Sequence, residues 1–406
     1  LKIIGGLDND TYNIANEKDV KVYDQKTKKN TFETPNIHKK ITDDYKTNTY
    51  NYTKLKNSAN LLSPALWFNP DDGIKLGLKN TILVNNFERN PFTTKHLITG
   101  YYYFATNGYE LNYAGEFANI FDRLNLGVDA NFNSKNFAQN FFGFGNNTPN
   151  PEATKDDPDL DFNRVKIGQF NLGTFLKWRG DLGAMIKLVV NYKSYDVERT
   201  QGRFLETQYN ASNRLFDQQQ FFNTEISYNY EHSDNPAFPT LGMGFDTKFG
   251  YTSNLNESRS FGYNITSLSV THKLIPNGKL VLGTKLRGHF NFGNDFEFYQ
   301  AASIGGRRGG LRGYRNQRFT GKNSFYQMTD IRWNMSKFKT GLLPLNLGIY
   351  GGFDYGKVWG TPNSLLNPAF NSSTPNTSYG GGVFFNAANM FSGGIGYFKS
   401  DDGTRF

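Results

Sequence analysis

The sequence predicts an all-β fold, a transmembrane antiparallel β-barrel of about sixteen strands, and three observations predict it. Long segments alternate apolar and polar residues with a period of two. No run of eighteen apolar residues occurs and the mean hydropathy is −0.61, which excludes helical spans and allows a barrel with a wet interior. Aromatic residues make up 16% of the 406 residues, with 37 Phe and 24 Tyr, a supply suited to the interfacial girdles of a barrel.

The elements follow in chain order. Residues 1–58 are polar, rich in Lys, Asn, Asp and Thr, and show little alternation. They are expected to be the end of an upstream extramembrane domain plus a linker, and residues 59–406 the barrel. The sequence opens with neither an initiator Met nor a signal peptide, so it is expected to start inside a longer precursor. Its first residues, Leu1 to Tyr12, resemble one turn of the glycine-aspartate nonapeptide that binds calcium in parallel β-helices, through Gly5, Gly6 and Asp10. Asp8 stands where that repeat has glycine and no second copy follows. Asp8 and Asp10 are therefore only weak metal candidates, and a Gly-Gly turn with an Asx-type hydrogen bond is the favoured reading.

Alternation begins near Leu61 to Phe68 and recurs near 73 to 84, 95 to 106 and 108 to 119. In the next segment Leu124, Leu126, Val128, Ala130 and Phe132 alternate with Asn125, Gly127, Asp129, Asn131 and Asn133. Segments near 162 to 178 and 183 to 195 follow. Phe222, Thr224, Ile226, Tyr228 and Tyr230 then alternate with Asn223, Glu225, Ser227, Asn229 and Glu231, so one face is greasy and the other suits water. Further segments lie near 239 to 252, 260 to 275, 280 to 292, 324 to 336, 343 to 358, 376 to 386 and 391 to 399. All but the first, as bounded here, are long enough for a transmembrane strand of about 9 to 11 residues. A soluble sandwich or propeller is the competing all-β reading, but the strands are too long and no blade-length repeat is visible. The cluster Tyr101-Tyr102-Tyr103-Phe104 sits near a strand end, where a girdle is expected.

Long loops are predicted at about 134 to 161, 196 to 218, 293 to 323 and 360 to 375, with Asn-Asn-Thr-Pro, Asp-Asp-Pro-Asp and Asn-Ser-Ser-Thr-Pro-Asn as their turn chemistry. Connections such as Leu274-Ile275-Pro276-Asn277-Gly278 read as tight hairpins. The last strand is followed by Asp401-Asp402-Gly403 and only three more residues, so the closing strand is expected to be incomplete in this sequence.

Residues 305 to 333 carry the most specific chemistry. Three arginines and five glycines lie in Gly305-Gly306-Arg307-Arg308-Gly309-Gly310-Leu311-Arg312-Gly313-Tyr314; Arg318-Phe319-x-Gly321 and Asp330-Ile331-Arg332-Trp333 follow. Glycine with arginine often marks a flexible surface loop or a nucleic-acid-binding tail. The alternating strands on either side argue against both. The net charge of +9 is otherwise spread along the chain apart from a Lys-rich stretch from Lys18 to Lys46, so nucleic acid is not an expected partner. Lumenal and rim cations are expected to meet anionic lipid head groups or internal carboxylates.

Leu311-Arg312-Gly313-Tyr314 resembles the Val-Arg-Gly-Phe/Tyr signature of the BamA/TamA superfamily, sixteen-stranded outer-membrane barrels that insert or translocate other proteins. The resemblance implies that this loop joins strands eleven and twelve and folds back into the lumen; the candidate strand before it is the eleventh by count. Asp330, with Arg332 two residues on, resembles the family's twelfth strand. Gly352-Phe353-Asp354-Tyr355-Gly356-Lys357-Val358-Trp359 resembles the thirteenth. Strand parity agrees: if Ile331 and Trp333 face lipid, Asp330 and Arg332 face inward, and if Ile349 and Phe353 face lipid, so does Asp354 face inward. Two inward carboxylates are suitable acceptors for the planar fork of Arg312. The resemblance implies that this contact locks the loop, with Arg318, Phe319, Gly321, Arg332 and Gly356 as supporting positions. It departs from the family in lacking repeated periplasmic transport-associated domains before the barrel, and in its short final strand.

The implied function is non-enzymatic insertion or translocation in the bacterial outer membrane through a lateral seam. The implied partners are outer-membrane lipids, unfolded outer-membrane or secreted client proteins and accessory assembly subunits; no cofactor is implied. The alternatives are a passive outer-membrane pore, or a membrane anchor for a hydrolase domain upstream of this sequence. Within the sequence, His38, His96, His232, His272 and His289 are the candidate bases. No Gly-x-Ser-x-Gly, His-Glu-x-x-His or paired-Cys spacing accompanies them. The chain has no cysteine, which fits passage through an oxidising periplasm.

Overall fold

The computed structural model describes residues 1–43, 45–48, 57–69, 71–86, 89, 91–121, 123–136, 138–151, 161–180, 182–209, 213–236, 238–339, 341, 343–362, 373–387 and 391–406. The barrel wall is built from β6 (Ala59–Asn69), β7 (Gly73–Val84), β8 (Thr94–Tyr103), β9 (Gly108–Phe121), β10 (Leu124–Asn133), β12 (Arg164–Arg179), β13 (Ala184–Val197), β14 (Gln219–Ser233), β15 (Gly242–Asn254), β16 (Ser260–Lys273), β17 (Leu280–Phe292), β20 (Asn323–Lys339), β21 (Pro344–Trp359), β22 (Asn376–Ala387), β23 (Phe391–Ser400) and β24 (Gly403–Arg405). These sixteen strands form a closed antiparallel ring in which β24 lies next to β6. The short β11 (Ala138–Asn140) extends the wall beside β12.

The expected fold class is met. Fifteen of the predicted segments are strands with ends within about three residues of expectation, because period-two patterning survives wherever one face meets lipid and the other water. Phe222, Ile226, Tyr228, Ile331, Trp333, Ile349 and Phe353 are exposed on the outside, while Asn223 and Asp354 are buried inside. The lumenal side is satisfied from within. Asn191 Nδ2 donates to Asn171 Oδ1 at 2.6 Å, and Asn223 Nδ2 to Asn191 Oδ1 at 2.9 Å. Lys75 pairs with Glu110 at 2.9 Å, Lys187 with Asp129 at 3.3 Å, Lys248 with Glu225 at 3.5 Å, and Lys177 with Glu116. Of the two destinations expected for the cations, internal carboxylates take these four. The tyrosine cluster divides by parity. Tyr102 and Phe104 face out in an edge contact with centroids 5.2 Å apart. The ammonium of Lys75 instead lies over the rings of Tyr101 and Tyr103, which therefore face the lumen and serve no girdle.

The N-terminal stretch is more regular than its composition suggests. β1 (Lys2–Ile4), β3 (Lys21–Gln25) and β5 (His38–Thr42) stack as a parallel ladder, and β2 (Thr11–Tyr12) stacks on β4 (Thr31–Phe32). Side-chain contacts tie the rungs: Asp10 N donates to Asn30 Oδ1 at 3.0 Å and Ile14 N to Thr34 Oγ1 at 2.8 Å. Tyr12, Val20, Val22 and Ile37 form its core. The unit is a small parallel solenoid, where the favoured expectation was an isolated Gly-Gly turn, and Gly6 makes its corner at φ +97°. The site differs from a calcium turn. Asp8 is exposed, the amide of Asp10 is taken by the next rung, and Asp24 accepts from the Tyr12 hydroxyl at 2.5 Å. Among the described residues no group of three or more metal-ligating side chains gathers.

The described parts of the first three predicted long loops do not stand free. Phe141 and Phe144 from the first, Phe204 and Leu205 from the second, and Phe296 and Phe298 from the third are buried together against Val165, Ile167, Val197, Phe261 and Tyr263 at the strand ends. Arg214 binds Glu297 at 2.7 Å and Glu257 at 2.9 Å, joining three connections in one ion-pair cluster. These loops make a packed dome over that end of the barrel. The turn sequence at 156–159 and the first two residues of the one at 371–376 lie outside the described residues.

Candidate functional site

The loop between the eleventh wall strand, β17, and the twelfth, β20, folds into the lumen. Its stem is a two-stranded piece, β18 (Ala302–Ile304) against β19 (Phe319–Gly321). The reversal between them is tight: Gly306 N donates to Leu311 O at 2.9 Å and Gly305 N to Gly309 O at 3.1 Å. Gly305, Gly306 and Gly310 have φ of +126°, +78° and +92°, which only glycine adopts readily. Gly310 also lies against the ring of Tyr326, in space a Cβ would claim. Ile304, Leu311, Tyr314, Phe319, Tyr326 and Val358 close into a small apolar core, so the loop is a packed element inside the barrel.

Arg312 is held on both sides of its guanidinium. Nη2 meets Asp354 Oδ1 at 2.6 Å, Nε lies 3.0 and 3.1 Å from the two oxygens of that carboxylate, and the backbone amide of Arg312 donates to Oδ2 at 2.9 Å. Nη1 reaches Asp330 Oδ1 at 2.8 Å. The ring of Phe398 lies 4.0 Å under the guanidinium carbon. Asp354 is wholly buried and accepts a fourth donor, Ser378 Oγ, at 2.8 Å. Gly352 sits opposite Asp330 across the ladder, and a Cβ there would collide with both Asp330 and Arg312. The next residue is tied as well: Ser400 Oγ donates to Gly313 O at 2.7 Å. A desolvated cation with a carboxylate, a second carboxylate and an aromatic face forms an anchor.

The supporting positions divide. Arg318 lies between the rings of Phe142 and Phe319; its Nε donates to Asp402 Oδ2 at 2.5 Å and its Nη2 to Thr148 O at 2.7 Å. Gly321 and Gly356 are spaces that Val358 and Ile304 fill closely. Arg332 points away from the anchor and donates to Pro239 O at 2.8 Å, at the turn between β14 and β15. His289 stands in the lumen along a cavity of about 840 Å³ that also borders Arg287, Trp67 and the loop tip.

Several contributors were not visible in the sequence. Arg315 Nε donates to Asp71 Oδ1 at 3.0 Å, and Asn316 Nδ2 to Asp71 Oδ2 at 3.0 Å. From the loop after β10, Gly145 N donates to Thr320 O at 2.8 Å, and Asn146 brackets Val358 by donating to its carbonyl at 2.5 Å and accepting from its amide at 2.8 Å. The signal for this second inward loop was Phe141-Phe142-Gly143-Phe144-Gly145-Asn146, three aromatic residues in a segment otherwise made of turn chemistry.

Sixteen antiparallel strands in a closed ring, greasy outside and hydrogen-bonded inside, with a loop anchored in the lumen, define an outer-membrane-type β-barrel. No family model and no curated protein matches the sequence. Among solved structures the chain is similar to BamA from Haemophilus ducreyi lacking POTRA domains 1–3, with a TM-score of 0.61 and 15% identity over 85% of this chain and 67% of that one. It is also similar to CdiB from Escherichia coli, with a TM-score of 0.51 and 11% identity over 86% of this chain and 64% of that one. The chain thus spans about two thirds of the length of these structures. By fold it is a barrel of the kind these two structures contain.

Proposed function

We propose that this protein is a non-enzymatic barrel of the bacterial outer membrane that inserts or translocates other proteins through the junction of its first and last strands. The observation that carries the reading is the inward loop between β17 and β20, with Arg312 held by Asp354 and Asp330. A wall that opens at one junction needs the strands beside it held in shape, and this anchor lies on β20 and β21, three strands before β24 in the ring. An opened junction would offer strand edges that template an incoming strand by β-augmentation. Within β6, Pro64 has no N–H to give to a ladder, which weakens that strand's pairing. The partners would be unfolded outer-membrane or secreted proteins, accessory subunits and the lipids around the wall. A passive pore is disfavoured by the dome of aromatic residues at one end of the lumen.

The test is quantitative proteomics of the outer membrane after depletion in the native host. A broad fall in barrel proteins supports general assembly, and loss of one secreted or surface protein supports a dedicated translocator. An unchanged outer membrane overturns the proposal and favours a pore or an anchor for an upstream hydrolase.

A further inference from the structure

We infer that the lumenal loop is also a latch across the junction of the first and last strands, with Arg315 gripping one side and Arg318 the other. The inference rests on the reading that this junction is where the wall opens. The turn between β6 and β7 contains Asp71, and the turn between β23 and β24 contains Asp402; β24 and β6 are the two strands that meet where the ring closes. Asp71 therefore belongs to the first hairpin and Asp402 to the last. Three positions apart on one loop, Arg315 binds Asp71 at 3.0 Å and Arg318 binds Asp402 at 2.5 Å. The loop strand thus bridges, from inside, two hairpins that are more than three hundred residues apart in the chain.

Burial separates this pair of contacts from ordinary rim ion pairs. The side chains of Arg315 and Asp71 are each 4% exposed, and those of Arg318 and Asp402 are 4% and 12% exposed. A solvated rim pair contributes little, whereas separating a buried pair strands a desolvated charge. Each grip is also braced. Asn316 holds the second oxygen of Asp71, with Arg164 of β12 at 3.9 Å from the first. Thr148 and the rings of Phe142 and Phe319 hold the guanidinium of Arg318 in place.

The geometry has a mechanical consequence. Both grips lie at hairpin turns at the same end of the wall, so a latched junction can separate only from its other end. Lifting residues 315–318 releases both turns together, because the two arginines share one short segment, while β23 stays tied to the loop through Ser400 and Gly313. The loop would then couple the anchored wall to the opening wall: Arg312 fixes its base, and Arg315 and Arg318 decide whether the junction's far rim is free.

The chain has no cysteine, so two introduced ones report without background. Spin labels at Ile74→Cys and Asp401→Cys in the full chain, reconstituted in bilayer discs without any client, measure the distance between the two hairpins. The latched barrel should give one narrow distribution. In Arg315→Gln/Arg318→Gln a longer distance should gain about tenfold in population, within the usual range for a coupling between two sites. The exchange Arg318→Asp/Asp402→Arg should restore part of the narrow component. Heat-modifiable gel mobility reports whether each variant folds. If the glutamine variant does not fold, Asp71→Asn and Asp402→Asn are measured in its place. A folded variant with either grip removed and the wild-type distribution overturns the latch. If none of these folds, recovery of folded yield in the exchange variant supports it and absence of recovery overturns it. No client takes part, so the result stands apart from the depletion test of the function.

Discussion

The lumenal loop meets two walls of the barrel and is held by them in different ways. On the wall of β20, β21 and β22, Arg312 meets two carboxylates that sit on strands laddered to neighbours on both sides. On the wall where the ring closes, Arg315 and Arg318 each meet one carboxylate, and each carboxylate sits in a turn. The first arrangement can move only if the sheet itself deforms. The second can let go when a turn shifts by a few ångströms. One loop therefore joins a fixed anchor to two releasable grips, and the contrast can be broken by substitution at either end.

The largest effect is expected at the anchor. Arg312→Ala leaves the carboxylate of Asp354 wholly buried with only Ser378 and a backbone amide, and removing one partner of such a pair typically costs roughly 3–5 kcal/mol. Urea unfolding of the barrel in lipid vesicles should show that loss, and limited proteolysis should cut residues 305–318 faster than in the wild type. Arg312→Lys keeps the charge but loses the fork and should fall between the two. An Arg312→Ala barrel with the wild-type midpoint and protease pattern would remove the distinction between anchor and grip.

Gly310→Ala acts on the same loop through shape alone. The added Cβ meets the Tyr326 ring at a φ of +92°, so overpacking and strain together should cost about 1–3 kcal/mol. The same unfolding measurement checks it. A neutral result would mean that the loop tip is free to shift and that Arg312 alone holds it.

How much of this was legible in the sequence follows the range of the contacts. Strand positions could be read because the period-two pattern is local, and the inward direction of Asp330 and Asp354 followed from parity with Ile331 and Phe353. The family resemblance supplied the loop that meets them. The partners of Arg315 and Arg318 were not legible. Asp71 and Thr148 are 244 and 170 residues away, and nothing local in Asn-Pro-Asp-Asp or Asn-Asn-Thr-Pro separates a charge buried under a loop from an ordinary turn. The solenoid of residues 2–48 was half legible. Its glycine corner carried a signal, but its rungs differ in length, with Lys2 opposite Lys21 and Lys21 opposite His38, so no fixed repeat marked the second turn.

Farther from the loop, the wall's own ion pairs should matter much less than either anchor or grip. Lys187 and Asp129 are 3.3 Å apart with about a quarter of each side chain exposed to the lumen. Such a screened pair typically contributes less than about 1 kcal/mol, so Lys187→Met should leave the unfolding midpoint nearly unchanged. A loss comparable with that of Arg312→Ala would show that the lumenal charges act as one network, and the loop's arginines would lose their special standing.

The smallest expected effect lies outside the membrane-spanning strands, in the turn after β14. Burial pushes the Asp234 carboxyl up slightly, but hydrogen bonds from the Thr240 hydroxyl and from the amides of Leu241, Thr240 and Asn235 outweigh it and bring the group down to about 2 from an ordinary 3.8. A carboxylate with its folded pKa below its unfolded one contributes stability above the ordinary value, and that contribution fades as the pH falls from about 4 towards 2. The group is exposed, so solvent screening keeps the contribution small. Asp234→Asn should lower the unfolding midpoint slightly at neutral pH and make the loss between pH 4 and 2 shallower. If the two curves stay parallel through that window, the turn's hydrogen bonds do not depend on the charge of Asp234.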